Sequence, residues 1–377
     1  MSTPLRPSAI HLENYLLDYL PGDHTLWITF DHAGLPKHAA EGRLGWGLQE
    51  LSRNGWSVLS VKARAADWFL KPDLAAFFAS AEFARIAEGK TRIVLYGLSM
   101  GGFGALAYST MIPGSVALAI SPQSTLDPAK VPWEKRFDYA LGEDWTGPLG
   151  DLNTLSPAHA EAYIIYSPDN KFDGPHIARL DRFGPLTLLP LAGNAHTPGG
   201  VLTEGGFLKS LIAAVAAGPI DASIFEDLAE TLESSAAYHY FQGWENPDPE
   251  ARNACFQRCL ELAASEKQQY YRQRIAGCLM RSAAKERDQV GAMRQYKDLR
   301  KCAAWRGSIS LKLMAARYLM RVEALEPARS LLTEIKKRHP EGHRKLADLE
   351  HHLDKMALEM DREADAADAA SKKVVNG

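Results

Sequence analysis

The stretch that decides the fold is Val94–Leu106, VLYGLSMGGFGAL. An apolar run, a serine fenced by glycines and a second run of small residues follow one another directly. The pattern G-x-S-x-G, here Gly97 to Gly101, arises by chance in roughly one chain in eight of this length at ordinary glycine and serine frequencies. Alone it carries little weight, but its setting carries more. TRIVLYG reads as a strand ending at Gly97, and GFGALAYS opens a small-residue helix just after Gly101. Such a strand-turn-helix lifts a serine hydroxyl above a sheet, and it needs glycines where side chains would strike the neighbouring strand and helix. Ser99 is therefore a candidate nucleophile, the alternative being a small residue in a tight turn without chemistry.

On either side of this stretch, short apolar runs alternate with amphipathic segments from about Leu26 to Ala217. The runs are LWITF, SVLSV, RIVLYG, VALAIS, AYIIYS and LTLLPL. Strands alternating with helices imply an α/β fold with a mostly parallel sheet covered on both faces. A serine hydroxyl needs a base, and the strand-turn-helix around Ser99 resembles the nucleophile elbow of α/β-hydrolases, a resemblance that implies an acid and then a histidine after the serine along the chain. His196 lies just after LTLLPLAG and is the candidate base, unless it is an ordinary loop histidine. The acid should follow AYIIYS, where PDNKFDGPHIARL offers Asp169 and Asp173; Asp173 is preferred and Asp169 kept as the alternative. For a developing oxyanion the donors are the backbone N–H of Met100 and one from the loop after LWITF, at Asp31 or His32. Trp68 in ADWF and Gln123 in SPQSTLDP fall at the carboxyl edge of the sheet, as substrate-binding candidates. The alternatives are core packing for Trp68 and, for the second loop, a proline-fixed turn with Asp127 bracing Arg136.

Together Ser99, Asp173 and His196 in their strand contexts resemble the α/β-hydrolase superfamily over roughly Leu26 to Ala217. More narrowly, YGLSMGGFGAL, ISPQSTLDP and SPDNKFDGPHIARL resemble a bacterial hydrolase-like group often encoded near surface-polysaccharide genes. In that group the last motif tends to read Asp-Pro, a short spacer, then Asp, which aligns Asp173 with the later acid; Ser167 stands here where the earlier aspartate would be. The resemblance implies a serine hydrolase or acyltransferase working through an acyl-serine intermediate on an ester or thioester, an acylated carbohydrate among them. A rival reading is a catalytically idle hydrolase-like scaffold that binds a protein partner through its C-terminal half.

After Gly218-Pro219-Ile220 the texture changes to Ala, Leu, Glu, Arg and Gln, and strand-like runs disappear. The segment LMAARYLMRVEALEPARSLLTEIKKRHPEGH reads as two antiparallel helices joined near Glu323 to Pro327. Ala316, Tyr318, Ala328 and Pro340 make it resemble a tetratricopeptide repeat, against the alternative of an ordinary helical bundle. Leu346, Leu349, Leu353 and Met356 form a narrow apolar seam. The expected organisation is a hydrolase-like domain over 1–218, a tetratricopeptide-like helical-hairpin domain over 219–360 and a disordered tail over 361–377. In this chain of 377 residues, 46% hydrophobic and 24% charged with net charge −3, nothing favours nucleic acid. No leader or membrane span is read, so the cytoplasm is the expected compartment. Cys255, Cys259, Cys278 and Cys302 lack CxxC spacing and read as reduced thiols, with no metal and no cofactor expected.

Overall fold

The computed structural model describes residues 6–35, 40–191, 196, 198–220, 222–225, 232–338 and 346–359. Two compact units emerge, residues 1–252 and 253–377. The sequence-read tail over 361–377 and Pro340 lie outside the described residues.

The first unit is built on an eight-stranded sheet in the order β1-β2-β4-β3-β5-β6-β7-β8. These strands are β1 (Ser8–His11), β2 (Tyr15–Leu20), β3 (Thr25–Phe30), β4 (Ser57–Ala63), β5 (Arg92–Leu98), β6 (Val116–Ile120), β7 (Glu161–Tyr166) and β8 (Thr187–Pro190). From β4 across to β8 every pairing is parallel, whereas β1–β2 and β2–β4 are antiparallel. Each of the six apolar runs read from the sequence supplies one strand, β3 to β8. Strands β3, β4 and β6 are buried along their whole length, which is why they read as continuous apolar runs rather than alternating ones. The edge strand β1 and its partner β2 went unread, because YLLDYL carries a charge where a buried strand should have none. Asp18 is nevertheless buried, 2.8 Å from Lys62 on β4, and its other oxygen accepts from the Gly45 amide at 2.9 Å. A buried charge is tolerable only when it is paired and hydrogen-bonded in this way.

Among the described residues the α-helices of this unit are α1 (Leu48–Ser52), α2 (Pro72–Phe78), α3 (Ala81–Ala87), α4 (Met100–Ser109), α5 (Asp173–Ala178), α6 (Pro198–Glu204), α7 (Phe207–Ala217) and α8 (Ala236–Glu245). All ten residues of α4 are buried. It lies against β3, β5 and β6, and its small residues allow that approach: a Cβ on Gly101 would stand 2.4 Å from the Phe30 carbonyl oxygen. The result is a mostly parallel α/β sheet with the serine turn at its centre. Helix α8 follows the change in composition at Gly218, yet it packs on α6 inside the first unit.

A helical C-terminal region follows. It comprises α9 (Pro249–Leu262), within which the second unit begins, then α10 (Ser265–Glu286), α11 (Gln289–Lys301), α12 (Ile309–Arg321), α13 (Leu325–Arg338) and a helix over 346–359. Its core takes in Met280, Leu299, Ala316, Leu319, Ala328 and Leu331, with Leu346, Leu349 and Leu353 packed into it and Met356 at its edge. Tyr318 is half-buried against that core. Helices α12 and α13 are joined by only Val322–Ala324. Ala324 N–H donates to Leu319 O and Glu323 N–H to Met320 O, both at 2.9 Å, closing α12 with Glu323 at φ 59°. That left-handed position usually takes glycine. Pro327 sits in the first turn of α13, where its missing N–H costs nothing. Among the described residues no single helix is long and apolar enough to cross a membrane. None of the four cysteines forms a disulfide.

Gly97→Ala should destabilise the first unit by about 3 kcal/mol through backbone overlap. Glu323→Gly should instead stabilise the second unit by up to about 1 kcal/mol by relieving the left-handed strain. Urea unfolding of each full-length variant, followed by tryptophan fluorescence, measures both.

Candidate active site

Ser99 joins β5 to α4 with φ 56° and ψ −117°, a conformation rarely adopted by residues with a side chain. Backbone bonds hold it there: its N–H donates to Ile120 O at 2.8 Å, and its carbonyl accepts from Phe103 N at 3.0 Å. The flanking glycines are a steric requirement, since a Cβ at position 97 would lie 2.0 Å from Gly101 O. The hydroxyl therefore projects from the sheet edge at the N-terminus of a fully buried helix.

His196, beyond the end of β8, presents Nε2 at 2.9 Å from Ser99 Oγ. Its Nδ1 stands 2.8 and 2.9 Å from the two oxygens of Asp173. With Nδ1 donating to the carboxylate, Nε2 is left as the acceptor for the serine hydroxyl. Asp173 opens α5 and is wholly buried. The Asn170 side chain accepts from the amides of Phe172 and Asp173 at 3.0 and 3.1 Å, which fixes the entry to this helix. Asp169 is exposed in the turn before it. The structure thus brings Ser99, His196 and Asp173 together and leaves Asp169 on the surface.

Gln123 is also brought to the serine. Trp68 Nε1, which can only donate, holds Gln123 Oε1 at 2.9 Å, so the amide nitrogen must face the other way. That nitrogen lies 3.4 Å from Ser99 Oγ and 3.3 Å from Ser121 O. Trp68 itself is fully buried and surrounded by Phe137, Tyr139 and Trp145, so its ring is core rather than a stacking wall for substrate. It stands at φ 51° in a turn held by Asp67, whose carboxylate accepts from Tyr15 Oη at 2.9 Å and Phe69 N at 3.0 Å. Burial pushes the Asp67 carboxyl up to about 6.

The oxyanion candidates divide. Met100 is the first residue of α4, so its N–H has no acceptor within the helix. The Asp31 N–H, by contrast, donates to Val61 O at 3.1 Å, prolonging the β3–β4 pairing, and Asp31 is corrected from a donor candidate to a structural residue. Its carboxylate pairs with Arg43 and accepts from Ala63 N at 3.2 Å. His32 follows it at the same strand end, with its Nδ1 accepting from Gly34 N at 3.2 Å.

Behind Asp173 lies a polar cluster that the sequence reading missed. Arg136 does not meet Asp127; its Nη2 reaches Asp173 Oδ1 at 2.9 Å and Glu134 Oε2 at 2.6 Å. Asp127 instead accepts from Ala129 N at 2.9 Å within its own loop. Glu134 also takes His176 Nε2 at 3.2 Å, and both are buried. Burial by itself would raise the Glu134 carboxyl, but the His176 and Arg136 hydrogen bonds outweigh it and bring it from 4.5 down to about 2. Burial likewise holds His176 below the usual imidazole range, against the pull of Glu134. A signal for this cluster was present in the sequence, since Asp173 and His176 stand three positions apart and share one face of a short helix. Among the described residues no group of three His, Cys, Asp or Glu is placed to hold a metal ion.

No family model and no curated protein matches the sequence. Among solved structures, the chain is similar to a capsule O-acetyltransferase of Neisseria meningitidis serogroup A, at 15% identity and TM-score 0.41 over 56% of this chain and 96% of that one. It is similar also to a truncated carbohydrate esterase from gut microbiota, at 14% identity and TM-score 0.38 over 54% and 91%. A third likeness is Est1E from Butyrivibrio proteoclasticus, at 15% identity and TM-score 0.36 over 60% and 98%. Likenesses this distant do not bear on chemistry.

The cluster makes stability acid-sensitive. Below about pH 6.5 the unfolded chain protonates His176 more readily than the folded protein does, so stability falls as pH falls. Glu134 stabilises above about pH 4.5, and that part is lost as pH drops toward 2. Glu134→Gln should be less stable at pH 7 by about 3 kcal/mol and flatter between pH 4.5 and 2. Urea unfolding across that pH range measures both effects.

Proposed function

We propose that this protein is a serine hydrolase or acyltransferase that forms an acyl intermediate on Ser99. The observation that carries the reading is the unbroken relay from Ser99 Oγ through both nitrogens of His196 to the buried Asp173. In this reading His196 takes the Ser99 proton as Oγ attacks the acyl carbon, and Asp173 orients the ring and stabilises its protonated form. His196 then returns the proton to the leaving group and activates water or an acceptor hydroxyl in the second half-reaction.

Charge develops on the former carbonyl oxygen, next to the N-terminus of α4. The Met100 amide and the partial positive charge of the helix end favour it there. His32 is the companion candidate from the loop after β3. Gln123, held by Trp68, presents a side-chain N–H beside the attacking oxygen, and in this reading that N–H faces the acyl group carried by Ser99. Esters and thioesters suit this chemistry, because an alcohol or thiol protonated by His196 leaves far more readily than an amine. The resemblance to a group linked with surface polysaccharides makes acylated carbohydrates the first substrates to test. Hydrolysis and transfer differ only in whether water or a bound hydroxyl reaches the acyl-Ser99 carbonyl.

A fluorophosphonate probe should label the native protein but not Ser99→Ala or heat-denatured protein; a folded protein that resists labelling would overturn the reading. On acetylated sugars or simple acetate esters, Asp173→Asn should lower kcat by about a thousandfold or more, while Asp169→Asn stays near wild type. Equal activity in the two variants would remove Asp173 from the relay.

A further inference from the structure

Three charges stand in a row behind His196. Glu134 and Asp173 lie on either side of Arg136, whose Nη2 is shared between them at 2.6 and 2.9 Å. Arg136 is fixed from several directions. Its Nε lies 3.0 and 3.1 Å from the two Glu134 oxygens, and its backbone N–H donates to the same carboxylate at 2.8 Å. Its guanidinium lies against the rings of Phe137 and Phe172, 5.1 and 4.6 Å from their centroids.

Glu134 is held in turn. Arg179 Nη1 donates to Ser124 Oγ at 2.7 Å while its Nη2 binds Asp151 at 3.0 Å, so the Ser124 hydroxyl must give its own proton to His176 Nδ1, 3.0 Å away. The Ser124 N–H donates to that same nitrogen at 3.2 Å. Neutral His176 therefore carries its proton on Nε2 and donates it to Glu134. This second serine–histidine–glutamate set is buried throughout, so no substrate reaches it. What it provides is a rigid anchor. Gln123, next in the chain to Ser124, returns to Ser99, so the anchor and the relay form one circuit.

We propose that Arg136, anchored by Glu134 and His176, is a positioning residue: it holds one oxygen of Asp173 in place and sets how much negative charge that carboxylate presents to His196. The inference rests on the reading of Ser99, His196 and Asp173 as a catalytic relay. The charged and titratable groups concerned are Asp173 and Ser99 in contact with His196, Arg136 and Glu134 behind Asp173, and His176 behind Glu134. Lys171 lies farther out over Phe172, and Tyr139 lies near Glu134.

Because the row alternates in sign, its two outer members act on His196 in opposite directions. Loss of the Arg136 cation leaves two carboxylates to favour protonated His196. Loss of the Glu134 charge commits the cation wholly to Asp173 and disfavours it. A residue that served only to hold the fold would not produce opposite movements.

The test is the rate of Ser99 labelling by a fluorophosphonate as a function of pH, on the full-length chain. In Arg136→Gln the acid limb should move up by about one pH unit, and in Glu134→Gln it should move down by a smaller amount. Arg136→Lys, which keeps the charge, should stay close to wild type. Limbs that coincide, or that move the same way in Arg136→Gln and Glu134→Gln, overturn the proposal. Should Arg136→Gln fail to fold, the downward movement in Glu134→Gln decides. Should the wild type not label at any pH, the relay reading fails separately, and the proposal is then decided by NMR titration of the His196 ring. Opposite movements of its midpoint in the variants support the proposal, and their absence overturns it.

Discussion

The backbones of β5 and α4 approach so closely around Ser99 that no side chain fits at positions 97 and 101. A Cβ at Gly97 would meet Gly101 O at 2.0 Å, and one at Gly101 would meet Phe30 O at 2.4 Å. From this constraint the rest of the first unit follows. The helix can be wholly buried over the middle of the sheet only because its first turn is small. Ser99 can hold a left-handed φ only because the sheet and helix on either side leave it no other path. Strands β3, β5 and β6, buried on both faces or nearly so, supply the rigidity against which that strain is held.

Burial poses the second problem, which is electrostatic. Asp173 and Glu134 are both carboxylates removed from water, and an uncompensated charge there would cost several kcal/mol. Arg136 lies between them, and His176 contributes a hydrogen bond without adding a second buried cation. The same device recurs at Asp18 with Lys62 and, with a more exposed cation, at Asp31 with Arg43. In each case a buried carboxylate has a cation within ion-pair distance and accepts at least one further hydrogen bond from a backbone or side-chain donor. This arrangement makes the region around Asp173 stiff at neutral pH and sensitive to acid.

Much of this was legible before any coordinates. The six apolar runs became β3 to β8 because strands buried on both faces have no alternation to disguise them. Ser99, Asp173 and His196 were legible because the elbow, the strand-following acid and the late histidine are local patterns tied to strand ends. The antiparallel β1 and β2 were not, since Asp18 breaks the apolar pattern and its partner Lys62 lies on another strand. Trp68 was read as poised between substrate contact and core. Packing decided for core, with the indole acting on the site only through Gln123. Asp31 lost its role as a donor because its amide continues a pairing that depends on where β4 ends.

The amino-acid sequence by itself determined the α/β character of the first half, the helical character of the second and the serine turn, because these depend on residues adjacent in the chain. Only the tertiary structure decided which carboxylate meets His196. Asp169 and Asp173 are four positions apart and chemically alike, but the turn of α5 buries one and exposes the other. It also decided that Glu134, Arg136 and His176 stand behind that carboxylate. Residues from a loop and a helix far apart in the chain attract one another through a low-dielectric interior far more strongly than through water, and their placement there follows from the folded sheet rather than from any spacing along the chain.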